Sequence, residues 1–208
     1  MPTAPTQLHP VDQLRQTYGA GDLFDNEKRL LTTLALQTAR QYSRPRYLEI
    51  GIFGGGTIHY VRHIVPNMEC HGVDMFEDFV VDASRNTHES GNYRMADVQE
   101  FLGPTVRLYK GDSAKVVPTL RGPFDLIFID GNHTYEATKV DYQNSRRLLA
   151  PKGFIAFHNA SPHMSPDWDI YSRRDGGPFL VAMELKLDSD MVCIAEVDRI
   201  QAFTPKRD

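Results

Sequence analysis

The chain has 208 residues, of which 41% are hydrophobic and 24% charged, a composition typical of a single globular domain. Its formal net charge is −4 and it has no run of lysines and arginines, so nothing favours nucleic acid as a partner. Two cysteines, Cys70 and Cys193, are too few for a disulfide framework or a cysteine-based metal site. The first twenty residues lack the apolar segment of a signal peptide, and no apolar run approaches the roughly 18 residues that would cross a bilayer. We therefore expect a cytoplasmic protein that contacts no membrane.

The chain divides into a short arm and one domain. Residues 1–24 are rich in Pro, Thr and Gln and have little apolar periodicity, so we expect an N-terminal arm. Residues 25–208 alternate between apolar runs and segments with helical spacing, which predicts parallel βαβ units with right-handed crossovers. Within this domain, residues 76–92 are polar and are interpreted as a lid or an active-site loop.

The helices are predicted from caps and apolar spacing. Asp25 can cap the first helix, in which Leu31, Leu34, Ala35 and Thr38 recur at helical spacing. A later helix begins at the cap Thr134, with Ala137, Val140 and Leu148 on its apolar stripe. The other predicted helices are Thr57–Ile64, Tyr93–Leu102, Ala114–Leu120 and Phe179–Leu187.

Seven strands are predicted between these helices. They are Tyr47–Ile52, Cys70–Met75, Thr105–Tyr109, Asp125–Asp130, Phe154–Phe157, Met191–Val197 and Ile200–Thr204. The last two are separated by a tight turn, so they form a hairpin that adds antiparallel pairing at one edge of the sheet. The predicted fold is α/β, with a mostly parallel seven-stranded sheet and helices on both faces.

A glycine-rich turn follows the first predicted strand. Glu49 lies two residues before Gly51, and Gly54 and Gly55 follow closely. Glycines at such a turn let the backbone approach a ligand, and ligands of open α/β sheets lie beyond the carboxyl ends of the strands. The spacing is not G-x-G-x-x-G, and Glu49 would repel a pyrophosphate but can pair with the amino group of a methionine moiety. The pattern favours an adenosylmethionine cofactor over a dinucleotide, although Glu49 could also be a satisfied charge at a strand end.

More polar residues follow the other strands at the same edge. Asp74 ends the second strand, where an acid accepts hydrogen bonds from ribose hydroxyls, and Asp112 and Ser113 could reach an adenine. Asp130 and His133 follow the fourth strand, and a neutral imidazole at His133 could accept the proton of a hydroxyl group. The structural alternatives are that Asp130 caps the turn before the next helix and that His133 is a surface residue of that turn.

Three segments carry a resemblance to a known family. The runs Glu49–Thr57, Gly111–Ser113 and Phe124–Ala160 resemble class I S-adenosylmethionine-dependent methyltransferases. The last run is similar to the subgroup of macrocin-type sugar O-methyltransferases and cephalosporin hydroxylase-like proteins, and more distantly to catechol O-methyltransferases. The resemblance implies a Rossmann-like fold and a site that binds S-adenosylmethionine. The residues that it implies for the cofactor are Glu49, Gly51, Gly54, Gly55, Asp74, Asp112, Ser113 and Asp130.

The resemblance also implies a base and a metal site. Asp130 falls where metal-dependent members place their first Mg²⁺ ligand, and His133 falls where they place a general base. His158 and Asn159 fall at the remaining metal ligands, where such relatives have two acids or Asp-Asn. Because Mg²⁺ prefers oxygen, an imidazole here either shifts preference toward Mn²⁺, Fe²⁺ or Zn²⁺ or abolishes metal binding.

The function that follows is methyl transfer from S-adenosylmethionine to a hydroxyl group of a small molecule, such as a natural product or sugar. A divalent metal that activates the hydroxyl is compatible with Asp130 and Asn159, and a homo-oligomer is compatible with the arm. Three alternatives stay open: an N-methyltransferase of the same fold, a non-catalytic subunit that binds an adenosyl ligand, and a dinucleotide oxidoreductase. A pure binder would need the glycine turn but not the Asp130, His133 and Asn159 group.

Overall fold

The computed structural model describes residues 23–76, 93–161, 171–187 and 190–206. The predicted arm, apart from its last two residues, and the polar segment 77–92 lie outside the described residues. Within the described residues, seven strands form one sheet in the order β3-β2-β1-β4-β5-β7-β6. The strands are β1 (Arg46–Ile50), β2 (Glu69–Asp74), β3 (Arg107–Lys110), β4 (Phe124–Ile129), β5 (Leu149–Phe157), β6 (Met191–Val197) and β7 (Ile200–Pro205).

Helices flank this sheet. They are α1 (Asp25–Gln41), α2 (Gly56–Ile64), α3 (Met95–Leu102), α4 (Ser113–Val116), α5 (Tyr135–Arg146) and α6 (Gly177–Leu187), and a 3₁₀ turn over Val117–Thr119 follows α4. Strands β1 to β5 pair in parallel, whereas β7 is antiparallel to both β5 and β6. The predicted α/β fold and its C-terminal hairpin are confirmed.

The core lies on both faces of the sheet because the central strands are apolar on both faces. Every residue of β4 is buried. On one face, Leu126 and Phe128 pack with apolar residues of α1, α2 and α3, and on the other Ile127 and Ile129 pack with residues of α5 and α6. A strand that alternated apolar and polar residues could not be covered on both faces in this way.

Two predicted details of the elements are wrong at their ends. Asp25 is the first residue of α1 rather than its cap, and the Glu27 carboxylate instead accepts the backbone N–H of Phe24 at 2.7 Å. Strand β5 begins at Leu149, before the proline that was expected to separate helix from strand, because a register shift opposite β4 accommodates this stretch.

The predicted apolar stripe of α5 is also wrong. Val140 is 36% exposed, whereas Thr138, Asp141 and Ser145 are buried. The Thr138 hydroxyl of this polar face lies within hydrogen-bond distance of the Asn132 and Thr134 carbonyl oxygens, whereas Ser145 Oγ and Asp141 Oδ1 have no hydrogen-bond partner among the described residues. This face packs against the loop that follows β4, where the candidate site lies.

The parallel pairing brings the carboxyl ends of β1 to β5 to a single edge of the sheet, and the predicted site residues lie at or just after those ends. None of the helices within the described residues has the length and apolar character that crossing a membrane requires.

Candidate active site

Gly51 makes the closest backbone approach of the site. Its φ is +82°, and a Cβ atom at this position would lie 2.1 Å from the carbonyl oxygen of Asp130. No other amino acid fits there, because both the left-handed conformation and the contact exclude a side chain. The first strand and the loop after β4 therefore meet backbone to backbone at this glycine.

Gly54 and Gly55 differ in whether the turn could hold a residue with a side chain at that position. Gly55 has a φ of +83° and precedes α2, and a Cβ atom there would lie 2.9 Å from the side chain of Leu102. A Cβ atom at Gly54 would meet only Tyr93, at an ordinary contact distance of 3.5 Å. The backbone conformation of the turn thus depends on Gly51 and Gly55 rather than on Gly54.

Glu49 is buried at the end of β1, with 2% of its surface exposed. Its carboxylate accepts a hydrogen bond from the Tyr47 hydroxyl at 2.7 Å. Burial raises the pKa of Glu49 well above its usual range, and the negative charges of Asp130 and Asp74 raise it further. Three carboxyl groups therefore surround the glycine turn, and a bound cation would relieve their mutual repulsion.

Asp74 holds the glycine turn in place. One of its carboxylate oxygens accepts the backbone N–H groups of Ile52 and Phe53, at 2.8 and 3.0 Å, and the other accepts that of Phe76 at 2.8 Å. Because each carboxylate oxygen has two lone pairs, a ribose hydroxyl can still be accepted.

Asp112 and Ser113 follow β3 at the same edge. Asp112 caps α4 by accepting the backbone N–H of Ala114 at 3.0 Å. Ser113 bonds to Asp141 of α5, and burial raises the pKa of Asp141 to about 6. Sequence reasoning missed Asp141, whose signal is a carboxyl group on a helix face that packs inward.

Asp130, His133 and Asn159 come together at the ends of β4 and β5. His133 Nε2 lies 3.7 Å from Asp130 Oδ1 and 3.3 Å from Asn159 Nδ2. If the Asn159 amide donates to this nitrogen, the single lone pair of His133 Nε2 is used by that bond, and an acceptor hydroxyl would have to replace the amide there. Asp130 and His133 keep 25% and 19% of their side-chain surface exposed, so a small molecule can reach both.

His158 lies behind this group and faces two carboxylates. Its Nδ1 is 2.9 Å from Asp130 Oδ1, and its Nε2 is 3.7 Å from Glu27 Oε2. Burial alone would lower the pKa of His158, but Asp130 and Glu27 raise it to about 9, so the ring is a cation at neutral pH. Burial alone would likewise raise the pKa of Asp130, yet the charge of His158 holds it well below its usual range.

Asn159 has an unusual backbone conformation. Its φ is +51°, in the left-handed region that asparagine tolerates better than most residues. Neighbouring bonds hold this turn: the N–H of His158 donates to the Ile129 carbonyl at 3.0 Å, and that of Ala160 donates to the Arg199 carbonyl at 2.8 Å.

The loop that carries His133 is clamped from the C-terminal side of the chain. Gly177 donates its N–H to the His133 carbonyl at 2.9 Å, and a Cβ atom at Gly177 would lie 2.4 Å from that oxygen. The N–H of Tyr135 donates to the Arg173 carbonyl at 2.7 Å. Sequence reasoning missed Gly177, because no local pattern links it to a loop more than forty residues earlier.

The predicted metal role of His158 does not fit this arrangement. Both of its ring nitrogens face protein carboxylates, so a metal at this histidine would have to displace Asp130 from Nδ1 or Glu27 from Nε2. Across the part of the chain that the structure describes, no three His, Cys, Asp or Glu side chains are grouped so as to hold an ion.

Comparisons with known proteins agree with this fold. A family described as a methyltransferase domain matches residues 48–160, more than half of the chain. A candidate caffeoyl-CoA O-methyltransferase of Staphylococcus aureus is 14% identical with a TM-score of 0.70, over 97% of this chain and 94% of that one. None of the curated proteins matches.

Two further solved structures carry ligands. The O-methyltransferase TomG of Streptomyces achromogenes, in complex with S-adenosylmethionine, is 19% identical with a TM-score of 0.64, over 95% of this chain and 88% of that one. The methyltransferase MycE of mycinamycin biosynthesis, in complex with Mg, S-adenosylhomocysteine and mycinamycin VI, is 16% identical with a TM-score of 0.63. This chain is covered to 97% in that comparison and MycE to 56%.

The sheet order, the glycine turn and the family match define a class I methyltransferase fold. The chain belongs to the methyltransferase domain family and is an S-adenosylmethionine-dependent methyltransferase.

Proposed function

We propose that this protein transfers a methyl group from S-adenosylmethionine to a hydroxyl group of a small molecule, and that His133 takes up the hydroxyl proton. The observation that carries the proposal is the convergence of Asp130, His133 and Asn159 beside the glycine turn. A protein that only bound an adenosyl ligand would need the turn but not a base next to it.

The residues around the turn suit the proposed cofactor. Gly51 and Gly55 adopt left-handed conformations with protein atoms packed against them, and this gives the turn a backbone shape that a ligand can approach. The carboxyl groups of Glu49 and Asp74, which lie at the glycine turn, suit a ligand with a cationic amino group and ribose hydroxyls. We assign Glu49 to that amino group, Asp74 to the ribose, and Asp112 with Ser113 to the adenine end. When bound, S-adenosylmethionine supplies an electrophilic methyl group on sulfur.

The protein's own task is then to orient the acceptor and to remove its proton. His133 Nε2 can take up a hydroxyl proton when the acceptor hydroxyl replaces the Asn159 amide as its hydrogen-bond partner. The Asp130 carboxylate, 3.7 Å away, stabilises the imidazolium that results. The Asn159 amide, 3.3 Å from the same nitrogen, orients the ring before the acceptor binds.

A divalent metal is not part of this proposal. The positive charge of His158, 2.9 Å from Asp130 Oδ1, lies where it would repel a bound cation and compete for the same carboxylate. Asn159 is neutral, so one aspartate would be left to balance two positive charges of the metal.

The first experiment tests the cofactor. Calorimetry on the purified protein should detect micromolar binding of S-adenosylhomocysteine and no useful affinity for NAD. Glu49→Ala should weaken S-adenosylhomocysteine binding by about 1.5–3 kcal/mol, the range for hydrogen bonds to charged groups. Tight NAD binding without a response to S-adenosylhomocysteine would contradict the proposal.

The second experiment tests the reaction. A panel of phenols, sugars and amines is incubated with the protein and S-adenosylmethionine, and formation of S-adenosylhomocysteine is measured. We expect turnover with a hydroxyl acceptor that survives chelators and falls roughly 10²–10⁴-fold in His133→Ala, the usual share of a general base. Loss of activity on chelation with recovery on added Mg²⁺ would contradict the metal-free site, and methylation of an amine alone would contradict the acceptor class.

A further inference from the structure

A buried carboxylate, that of Glu27, lies on the side of His158 that faces away from Asp130. Glu27, in the first turn of α1, is fully buried, and its Oε2 atom lies 3.7 Å from His158 Nε2. Arg199, in the turn between β6 and β7, donates from Nε to Glu27 Oε1 and from a terminal nitrogen to Oε2, both at 2.9 Å. The backbone N–H of Arg199 also reaches Oε1, at 2.9 Å.

This set of bonds exceeds what the start of a helix requires. A single N–H at the helix start, that of Phe24, donates the capping bond to Glu27. A carboxylate removed from water is strongly unfavourable unless several donors compensate it. Here the guanidinium and two backbone groups donate two hydrogen bonds to each carboxylate oxygen, and Oε2 also lies 3.7 Å from His158 Nε2, where the interaction is between charges.

The imidazole of His158 is thereby held at both ends. Its Nδ1 faces Asp130 at 2.9 Å, and its Nε2, which has no hydrogen-bond partner among the described residues, lies 3.7 Å from Glu27 Oε2. A ring with a carboxylate at each nitrogen cannot flip or tilt without losing one of them. Its orientation fixes which oxygen of Asp130 is engaged, and that same Oδ1 faces His133.

Arg199 ties this network to the other half of the site. Its carbonyl oxygen accepts the backbone N–H of Ala160, the residue that follows Asn159. One residue of the β6–β7 turn thus holds both the carboxylate behind His158 and the backbone beside Asn159.

We propose that Glu27, held by Arg199, is a positioning residue that fixes the His158 ring and, through it, the Asp130 carboxylate presented to His133. This inference rests on the proposed function of Asp130 and His133. It adds that α1 and the β6–β7 turn, both far from them in sequence, set their geometry.

The test compares Glu27→Gln with a matched control. Glu69→Gln removes another carboxylate that contacts a buried histidine, His71, at 2.9 Å and at a different place in the sheet. With the acceptor found in the panel above, Glu27→Gln should lower kcat on the order of 10–100-fold, as when groups behind functional ligands are removed. KM and the affinity for S-adenosylhomocysteine should change less than about twofold. Glu27→Asp should recover part of kcat, and Glu69→Gln should leave kcat unchanged.

A double-variant cycle separates positioning from general destabilisation. If Glu27 acts through His158, then Glu27→Gln should lower kcat no further in a protein that already carries His158→Asn. Independent, multiplicative losses would overturn the proposal. If Glu27→Gln does not fold, then Arg199→Lys, which keeps the charge but loses the two-pronged contact, replaces it in the same cycle.

A second readout does not depend on the acceptor. The ring N–H protons of His158 are followed by NMR and assigned by their loss in His158→Asn. We expect these resonances to shift or broaden in Glu27→Gln and to stay unchanged in Glu69→Gln. An unchanged His158 signal in Glu27→Gln would overturn the positioning role. Failure of the wild-type protein to bind S-adenosylhomocysteine would instead contradict the proposed function, while the NMR result would still decide the role of Glu27.

Discussion

Two buried histidines, His158 and His71, each lie close to a glutamate, yet their pKa values move in opposite directions. His71 is 2% exposed and its Nε2 lies 2.9 Å from Glu69, while its Nδ1 is 3.1 Å from the Tyr109 hydroxyl. Burial lowers the pKa of His71 below its ordinary value, and Glu69 does not overcome this. His158 is 5% exposed, and its pKa is raised to about 9.

The difference lies in the neighbouring charges rather than in burial. Glu69 is shared with three arginines, Arg44 at 3.8 Å, Arg46 at 3.6 Å and Arg107 at 3.4 Å, and the last two oppose a proton on His71. His158 faces two carboxylates, Asp130 and Glu27, and the opposing charge of Arg199 is a smaller effect. A His–Glu contact therefore produces a neutral structural histidine in one place and a cation beside the candidate site in the other.

The largest loss of turnover is expected when the Asp130 carboxylate, which faces both His158 and His133, is removed. Asp130→Asn removes the carboxylate nearest to His158, so the pKa of His158 should fall toward the behaviour of His71. Turnover should fall roughly 10²–10⁴-fold, because His133 also loses the charge that stabilises its protonated form. An NMR titration of His158 together with steady-state kinetics checks both outcomes. A His158 pKa that stays near its wild-type value would contradict the assignment of the shift to Asp130.

The second-largest effect is expected when the close backbone contact between Gly51 and Asp130 is disturbed. Gly51→Ala puts a Cβ atom 2.1 Å from the Asp130 carbonyl oxygen in a left-handed conformation, so the backbone must move. We expect a loss of about 3 kcal/mol or more in the free energy of unfolding and loss of S-adenosylhomocysteine binding. Gly54→Ala is the matched control, since its Cβ atom meets only Tyr93 at 3.5 Å. Chemical denaturation and calorimetry compare the two variants. Equal losses of stability and of S-adenosylhomocysteine affinity would show that the fold and the binding site do not depend on the close backbone approach at Gly51.

A third prediction uses the pH dependence of stability. A histidine whose folded pKa is about 9, against an ordinary value of 6.5, stabilises the fold fully below pH 6.5 and loses that contribution as the pH rises through 9. The contribution is about 3 kcal/mol, since each pKa unit corresponds to about 1.4 kcal/mol. Urea denaturation between pH 6 and 10 should show this loss in the wild type and in His71→Asn, but not in His158→Asn. The same loss in all three proteins would rule out His158 as its source.

The opposite sign is expected for His71. Because its folded pKa lies below 6.5, the unfolded chain takes up the proton more readily, so this residue destabilises the fold as the pH falls below 6.5. Denaturation between pH 5 and 7 should therefore give a shallower loss of stability in His71→Asn than in the wild type. A slope that does not depend on His71 would contradict this.

The smallest loss of stability is expected when Glu69 is substituted. Glu69→Gln weakens the contacts with His71 and the arginines, and the carboxylate keeps 18% of its surface exposed, so the loss of stability should be about 1–2 kcal/mol. Thermal melting measures this loss, and turnover should be unaffected. A drop in turnover would mean that the two histidine clusters are coupled across the sheet.

By itself, the sequence determined the elements and the edge of the sheet at which the site forms. Apolar runs such as Phe124–Ile129 and the glycines after β1 carry local signals, and parallel pairing brings the strand ends together without further information. The convergence of Asp130, His133 and Asn159 followed from that rule, because β4 and β5 are neighbours in the sheet.

Only the tertiary structure decided the state of His158 and the inward polar face of α5. In sequence His158 is one residue of an expected metal site, and its charge depends on Glu27, 131 positions away, which in turn is held by Arg199, 172 positions away from it. No periodicity or motif links such residues, because an ion pair depends on distance in space and on exclusion of water. Likewise, Asp141 and Ser145 break the apolar stripe expected of a buried helix face, since their burial depends on what the loops and α4 place opposite them.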